Sequence, residues 1–489
     1  MRERLSRFFK HLLIYGIGDG ATAIASLLLL PILTRHLTPS DYGILNLLVL
    51  VDLVARVAGR WGLDVAFMRL FVDATDDAGR RRLASTICFF LLAANGVLCA
   101  AGIVASGWIG TQLFAEPQAG RLVILTLVNV FASSVFVIPI QVLRVRERSA
   151  RFVALNVARL TTAVVARLLL VVWADMGVIG VVVADLIVTA VGGLILLPMF
   201  VSLIRPMFSR VNLVDALRFG LPRLVHGFAQ LVLGLTDRYI LKVYGTLAEV
   251  GLYSVGANFG LALGLALTAF ESAWLPFALS IMHETEARRT LAVLSTYVIA
   301  GLVLLVTGVC VLGDDAVRLF TAPEFHDAAR VTPWAALAVL GQGLYMVGSI
   351  GLIITKRTKA YPIATGGAAT VNVIANLILV PRFGMMGAAW AATASYALLA
   401  VVATAFSRRV YPVPYEWGRL GRIAVAGATA WLVAGSIVPL PAGTIAGLLL
   451  RGVVTTLTYG AVLWFTGFIG AHERREIERL AARIARPLT

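Results

Sequence analysis

Charge is what this sequence has least of. Asp, Glu, Lys and Arg together make up 14% of the 489 residues, against 59% hydrophobic residues and a mean hydropathy of +0.89. Too few polar side chains remain to coat a water-soluble core of this size, which excludes a soluble enzyme or binding domain and makes the bilayer the solvent. Cysteine is nearly missing as well. Cys88, Cys99 and Cys310 each fall in an apolar run without paired spacing, so they read as core filler rather than a disulfide framework or a thiolate metal site. The chain has no G-x-x-x-x-G-K-[ST] loop, no H-E-x-x-H and no paired Cys or His spacing, which argues against ATP hydrolysis and zinc chemistry. Acidic residues are scarcer than basic ones, 26 against 42, leaving a formal charge of +16.

What is present is hydrophobic sequence in long runs. A transmembrane helix needs about 20 mostly apolar residues, and about fourteen such windows fit along the chain with short connectors between them. The first begins near Leu12, behind Arg2, Arg4, Arg7 and Lys10. No small-residue cleavage pattern follows it, so it reads as a retained span rather than a signal peptide. The basic residues sit in alternate connectors: Arg80 to Arg82, then Arg144, Arg146, Arg148 and Arg151, then Arg205, Arg210 and Arg218, and so on to the tail. That distribution is the positive-inside pattern. It predicts both termini in the cytoplasm and an even number of spans, and it accounts for the excess charge without nucleic acid. The longest outer connector, Gly313 to Thr332, is expected to be a short surface helix or a lid-like loop. The tail HERREIERLAARIAR places Ile477, Leu480 and Ile484 at helical spacing, as an interfacial amphipathic helix or a solvated helical end would.

The chain repeats itself. T-P-S-D-Y-G, with Thr38, Asp41 and Gly43, recurs as T-L-A-E-V-G, with Thr246, Glu249 and Gly251, an offset of 208 residues from Thr38 to Thr246. G-V-I-G at Gly177 and Gly180 recurs as G-M-M-G at Gly384 and Gly387, an offset of 207 residues from Gly177 to Gly384. The first pair reads as helix capping boxes, and two independent matches at nearly one offset indicate a duplication. Both copies begin on the same side of the membrane, so the repeat is parallel, a transporter architecture with the substrate route between the halves. The expected fold is an all-α polytopic membrane protein of about fourteen spans. It comprises a six-helix lobe at 1–210, a second at 211–409, helices 13 and 14 at 410–469 and a cytoplasmic tail at 470–489.

The opening L-P-I-L-T-R-H-L-T-P-S-D-Y-G from Leu30 to Gly43 is similar to a stretch known from the oligosaccharide flippases of the multidrug, oligosaccharidyl-lipid and polysaccharide exporter superfamily. So are F-G-L-P at Phe219 to Pro222, D-R-Y-I-L at Asp237 to Leu241 and V-G-L-Y-S at Val250 to Ser254. The resemblance spans essentially the whole chain. It implies two facing six-helix lobes, two extra helices and alternating access driven by an ion gradient or the membrane potential. It also implies an undecaprenyl-pyrophosphate-linked oligosaccharide as cargo in a bacterial inner membrane, membrane lipid around it, and polysaccharide polymerase and glycosyltransferases as functional neighbours.

Ionisable side chains inside spans cost about 2.5 to 3.5 kcal/mol each on insertion scales, so each marks an interior or a wet cavity. Asp52, Arg56, Arg60 and Asp64 recur at steps of four, on one gradually drifting helix face. They either form two ion pairs that hold this span in place, or they present Arg56 and Arg60 to a cavity where guanidinium forks match phosphate oxygens. Arg159 and Arg167 lie eight residues apart, again near one face, and are expected to contact phosphate or acidic sugar, although Arg159 could instead snorkel. Arg223 follows Pro222 where a helix can bend, with His226 one turn later. Asp237 and Arg238 are neighbours, hence on different faces, and read as structural or gating residues. Asp19, among Gly16, Gly18 and Gly20, and Glu271 are the candidates for coupling to H+ or Na+, since a buried carboxyl can carry a proton. Asp185 is a weaker one. With Arg69, the in-span basic residues number seven against six acids, so any cationic site arises from clustering and not from net charge.

Three other readings compete. A multidrug antiporter of the same architecture would favour acids and aromatics over intramembrane arginines. A lipid II flippase would share nearly all of these features. A membrane glycosyltransferase or polymerase needs a sizeable outer loop with a catalytic acid or base, and only Gly313 to Thr332 offers one.

Overall fold

The computed structural model describes residues 29–468 apart from 75, 115–118, 147, 262, 283, 285, 356, 358–359 and 438–440. The expected first span, with Asp19, and the tail from Ala471 therefore lie outside the described residues. All described secondary structure is helical. Nine helical segments among the described residues are long and apolar enough to cross a membrane, or ten if the bent pair Gly120–Ser134 and Val137–Val145, inclined by 43°, counts as one span. The chain is a multi-pass, all-helical membrane protein.

The chain divides into two compact units. One is formed by Met1–Val255, Phe320–Ala328 and Tyr361–Ser395, the other by Gly256–Leu319, Ala329–Ala360 and Tyr396–Thr489. In the first unit the helices run in order as α1 (Pro39–Arg60), α2 (Leu63–Asp73), α3 (Asp77–Val104), α4 (Ser106–Phe114), α5 (Gly120–Ser134), α6 (Val137–Val145) and α7 (Ser149–Arg167). A π-helical turn, Leu168–Trp173, precedes α8 (Gly177–Leu203), α9 (Arg210–Tyr244) and α10 (Leu247–Leu261), whose residues up to Val255 belong to this unit.

The core of this unit forms around α2. Its apolar residues Leu63, Ala66, Phe67 and Phe71 recur at helical spacing and are all buried, against Leu83, Ile87 and Leu91 of α3, Ile138 and Val142 of α6, Leu203 of α8 and Ala216 of α9. Trp61 and Gly62 break the α1–α2 span, both with left-handed backbone at φ 52° and 67°. The break is packed: a Cβ on Gly62 would lie 2.9 Å from the Gly220 carbonyl carbon in α9. A tryptophan in this backbone region is unusual, and the surrounding contacts hold it there.

Both halves of the repeat have the local structure expected of them. The Thr38 amide donates to Asp41 Oδ2 at 2.8 Å and the Asp41 amide to Thr38 Oγ1 at 3.2 Å. The Thr246 amide donates to Glu249 Oε2 at 3.1 Å and the Glu249 amide to Thr246 Oγ1 at 3.2 Å. The two capped helix starts also pack on each other, because a Cβ on Gly43 would overlap the Leu247 carbonyl and one on Gly251 the Pro39 carbonyl. Gly177 and Gly384 both take φ 54°, and each opens a helix whose second glycine, Gly180 or Gly387, abuts backbone of the preceding helix.

In the second unit lie α11 (Gly264–Ile281), α12 (Ala287–Phe320), α13 (Thr332–Gly348), α14 (Ile350–Ile354), α17 (Trp417–Ile437), α18 (Ile445–Phe465) and most of α16 (Met385–Val410), which follows α15 (Ala360–Phe383). The expected outer connector at Gly313 to Thr332 is shorter than its composition suggests. Helix α12 continues through Phe320, and a 3-10 helix at Pro323–Arg330 makes the link. Asp315 is helical and fully buried, with both of its oxygens 2.6 Å from Arg451 Nη1 in α18 and the Gly443 amide donating to it at 2.9 Å. Tyr459 of α18 also donates to the Ala300 carbonyl of α12 at 2.8 Å.

Candidate functional site

The first unit gathers most of the in-span arginines. On α1 the Arg56 Nε donates to Asp52 Oδ2 at 2.7 Å, and its Nη1 reaches across to Ser133 Oγ on α5, also at 2.7 Å. Asp52 and Ser133 thus clamp one guanidinium from two helices. The expected stripe does not continue as one helix face: α1 ends at Arg60, and Asp64 begins α2 beyond the Trp61–Gly62 break. The expected Arg60–Asp64 ion pair does not form among the described residues. Instead Asp64 Oδ1 accepts from the Val65 amide at 2.9 Å, while Arg60 stays exposed, within electrostatic reach of Asp64, Asp52, Arg56 and Arg144.

Arg159 of α7 stands within electrostatic reach of Arg56 and makes no ion pair among the described residues. Its stem fits against Gly192 of α8, where an added Cβ would sit 3.3 Å from Arg159 Cδ. Arg167, two turns on and just before the π-helical turn, is neutralised by Asp185 of α8 at 2.9 Å. Local sequence offered no acid for Arg167, and the partner comes from the next span. Beside this pair, Tyr42 interacts electrostatically with Arg167, and its hydroxyl is buried without a hydrogen-bond partner among the described residues.

Asp237 and Arg238 are both buried, and adjacency does not separate them. Arg238 Nη1 lies 3.4 Å from Asp237 Oδ1 and donates to the Gly234 carbonyl at 3.0 Å. Tyr253 of α10 donates its hydroxyl proton to Asp237 Oδ2, and its ring lies 5.6 Å from the Arg238 guanidinium. Sequence reasoning misses Tyr253 as a site residue, although the V-G-L-Y-S motif contains it. Arg223 and His226 lie in α9, which is helical through Pro222; their side chains fall outside the described residues. Glu271 is exposed on α11 in the second unit, without the burial expected of a proton-carrying carboxyl, and Asp19 lies outside the described residues. Arg69 pairs with Asp73 at 3.6 Å on an exposed face. Among the described residues no cluster of His, Cys, Asp or Glu is arranged to hold a metal ion.

The arrangement therefore has one braced arginine, Arg56, with two others, Arg60 and Arg159, near it and, among the described residues, without carboxylate contacts. Like charges held together with incomplete compensation favour an anionic ligand, and guanidinium groups match phosphate with paired donors.

Residues 32–330, more than half of the chain, match the family described as "Polysaccharide biosynthesis protein". No curated protein matches the chain significantly in sequence. Among solved structures, the chain is similar to a lipid II flippase MurJ in an inward closed conformation, with a TM-score of 0.74 at 14% identity over 93% of this chain and 99% of that one. It is also similar to an inward-facing multidrug resistance MATE family transporter of the MOP superfamily, with a TM-score of 0.66 at 16% identity over 79% of this chain and 94% of that one. An outward-facing transporter of the same kind gives 0.58 at 17% identity, over 81% and 94%. At these identities the likeness is one of fold, the MOP-superfamily fold.

Proposed function

Since the chain belongs to the family described as "Polysaccharide biosynthesis protein", we propose that it is a transporter and not an enzyme, and that it flips an undecaprenyl-pyrophosphate-linked oligosaccharide from the cytoplasmic to the outer leaflet of the bacterial inner membrane. Alternating access moves the unit, for surface polysaccharide biosynthesis. In this reading the chain has fourteen spans with both termini in the cytoplasm, in two six-span halves at 1–210 and 211–409 followed by helices 13 and 14. Arg56, Arg60 and Arg159 receive the pyrophosphate. Arg167, Arg223 and Arg238 complete the arginine set; Asp52 and Asp64 keep the charges placed when cargo is absent, and Asp237 gates. Asp19 and Glu271 are the residues assigned to H+ or Na+ coupling. Polymerase and glycosyltransferases act on the same lipid-linked unit before and after it crosses.

The observation that carries this reading is the proximity of Arg56 and Arg159 on two spans, with Asp52 the one carboxylate in contact with either among the described residues. A cavity for cationic drugs would carry the opposite charge. The lipid II flippase of similar fold supports a lipid-linked cargo. A charge-assisted hydrogen bond contributes about 1.5 to 3 kcal/mol. On that scale Arg56→Ala or Arg60→Ala lowers translocation of the lipid-linked unit by about ten- to a hundredfold while the protein is still made and inserted. Wild-type translocation by both variants would remove the role assigned to them.

A further inference from the structure

A second concentration of arginine lies elsewhere in the first unit, apart from Arg56, Arg60 and Arg159. The first turn of α3, the end of α6, the start of α7 and the last two turns of α8 enclose a cavity of about 700 Å³. Arg80, Arg81, Arg146, Arg148 and Arg151 line it with a single acid, Asp77. The rest of its wall is largely apolar, including Leu155 of α7 and Leu196 and Met199 of α8.

We propose that this cavity is a binding site for an anionic phospholipid of the surrounding leaflet, with the phosphate among the arginines and an acyl chain along the α7–α8 wall. Three observations point there. The cavity sits where four helices end at the same side of the unit, the level at which a bilayer changes from hydrocarbon to headgroup. Its lining is split between cations and aliphatic carbon, which matches a diacyl phospholipid better than a soluble anion. Two of the arginines are also held in place: Arg80 and Arg146 lie over the Phe71 ring at 5.5 and 5.8 Å, and among the described residues Arg80 Nε is buried without a hydrogen-bond partner. Arg80 has Asp77 at 3.5 Å; no ion pair forms on Arg81, Arg146, Arg148 or Arg151 among the described residues. Positive-inside charge alone places arginines in a connector, but does not require an apolar cleft beneath them.

The test is retention of phosphatidylglycerol against phosphatidylcholine by the full-length protein, read by native mass spectrometry from detergent. Wild type retains phosphatidylglycerol in preference. Arg148→Gln with Arg151→Gln weakens that retention about thirtyfold, from roughly 1 kcal/mol for each basic residue at a lipid surface. Arg210→Gln with Arg218→Gln, the same loss of charge outside the cavity, leaves it unchanged. Ile195→Trp, which fills the apolar wall without touching a charge, also reduces it, and serves if the arginine double variant does not fold. Equal retention of the two lipids by wild type, equal loss in the control pair, or full retention by both cavity variants would overturn the proposal. So would displacement of phosphatidylglycerol by equimolar undecaprenyl pyrophosphate, which would assign the cavity to cargo. No arm reads transport, so the result does not depend on the proposed function.

Discussion

Arg56 and Arg159 differ in how they are held, and the difference has consequences for single substitutions. Arg56 is fixed by Asp52 and Ser133 from two helices, whereas Arg159 is shaped chiefly by the space that Gly192 leaves beside its stem. Enlarging that position to Gly192→Val removes no charge, yet it pushes the Arg159 guanidinium out of place. If Arg159 receives the pyrophosphate, this variant translocates several-fold more slowly at unchanged protein level, and Gly193, which abuts the Phe136 ring, is not an equivalent position. The buried Asp237 makes a different case. Tyr253→Phe deletes a hydrogen bond to a carboxylate that stays buried, at a cost of about 1 to 3 kcal/mol, seen as a lower melting temperature in detergent; an unchanged melting temperature would show that Tyr253 contributes nothing to holding Asp237. The sequence marks such residues because charge within a span is conspicuous. Their partners are not legible there: Asp185 meets Arg167 and Tyr253 meets Asp237 from neighbouring helices, through packing that no local pattern encodes.

At the scale of helices, the legible features are those whose chemistry is local. A capping box closes within four residues, so T-P-S-D and T-L-A-E announce two helix starts directly. The pairing of those starts is a tertiary fact, and it makes Gly43 and Gly251 vulnerable. A methyl at either would meet carbonyl backbone of the opposing helix, and overpacking of this kind costs about 1 to 3 kcal/mol. Gly43→Ala and Gly251→Ala are each expected to lower the melting temperature, whereas Gly366→Ala in α15, with open space around it, is expected to be neutral or mildly stabilising. Equal behaviour of all three would contradict the packed approach. The Trp61–Gly62 break is the converse case. Periodicity runs through it without interruption, since tryptophan carries no preference for left-handed backbone, and the contacts that accompany the break, Gly62 against Gly220 and Trp61 against Phe90, are tertiary. For that reason spacing alone carries the Asp52-to-Asp64 stripe past the end of α1.

For the whole molecule, long apolar runs make the membrane class plain, while the ends of connectors stay obscure. Asp315 illustrates this: two adjacent acids after a glycine resemble a loop, yet the helix continues and buries the second against Arg451. Losing one partner of a buried pair costs about 3 to 5 kcal/mol, more than replacing both with apolar groups. Asp315→Asn should therefore destabilise the second unit sharply, and Asp315→Leu combined with Arg451→Met should recover much of the loss in thermal unfolding; a double variant as unstable as the single one would argue that the charge itself is required. The central claim concerns cargo, and mass spectrometry of lipid-linked glycans in membranes depleted of this protein, with surface polymer recorded in parallel, tests it most directly. A flippase of the proposed kind leaves one intact lipid-linked oligosaccharide to accumulate when it is depleted, with loss of surface polymer. Unchanged lipid-linked pools with normal surface polymer would contradict that function and withdraw the pyrophosphate role from Arg56, Arg60 and Arg159.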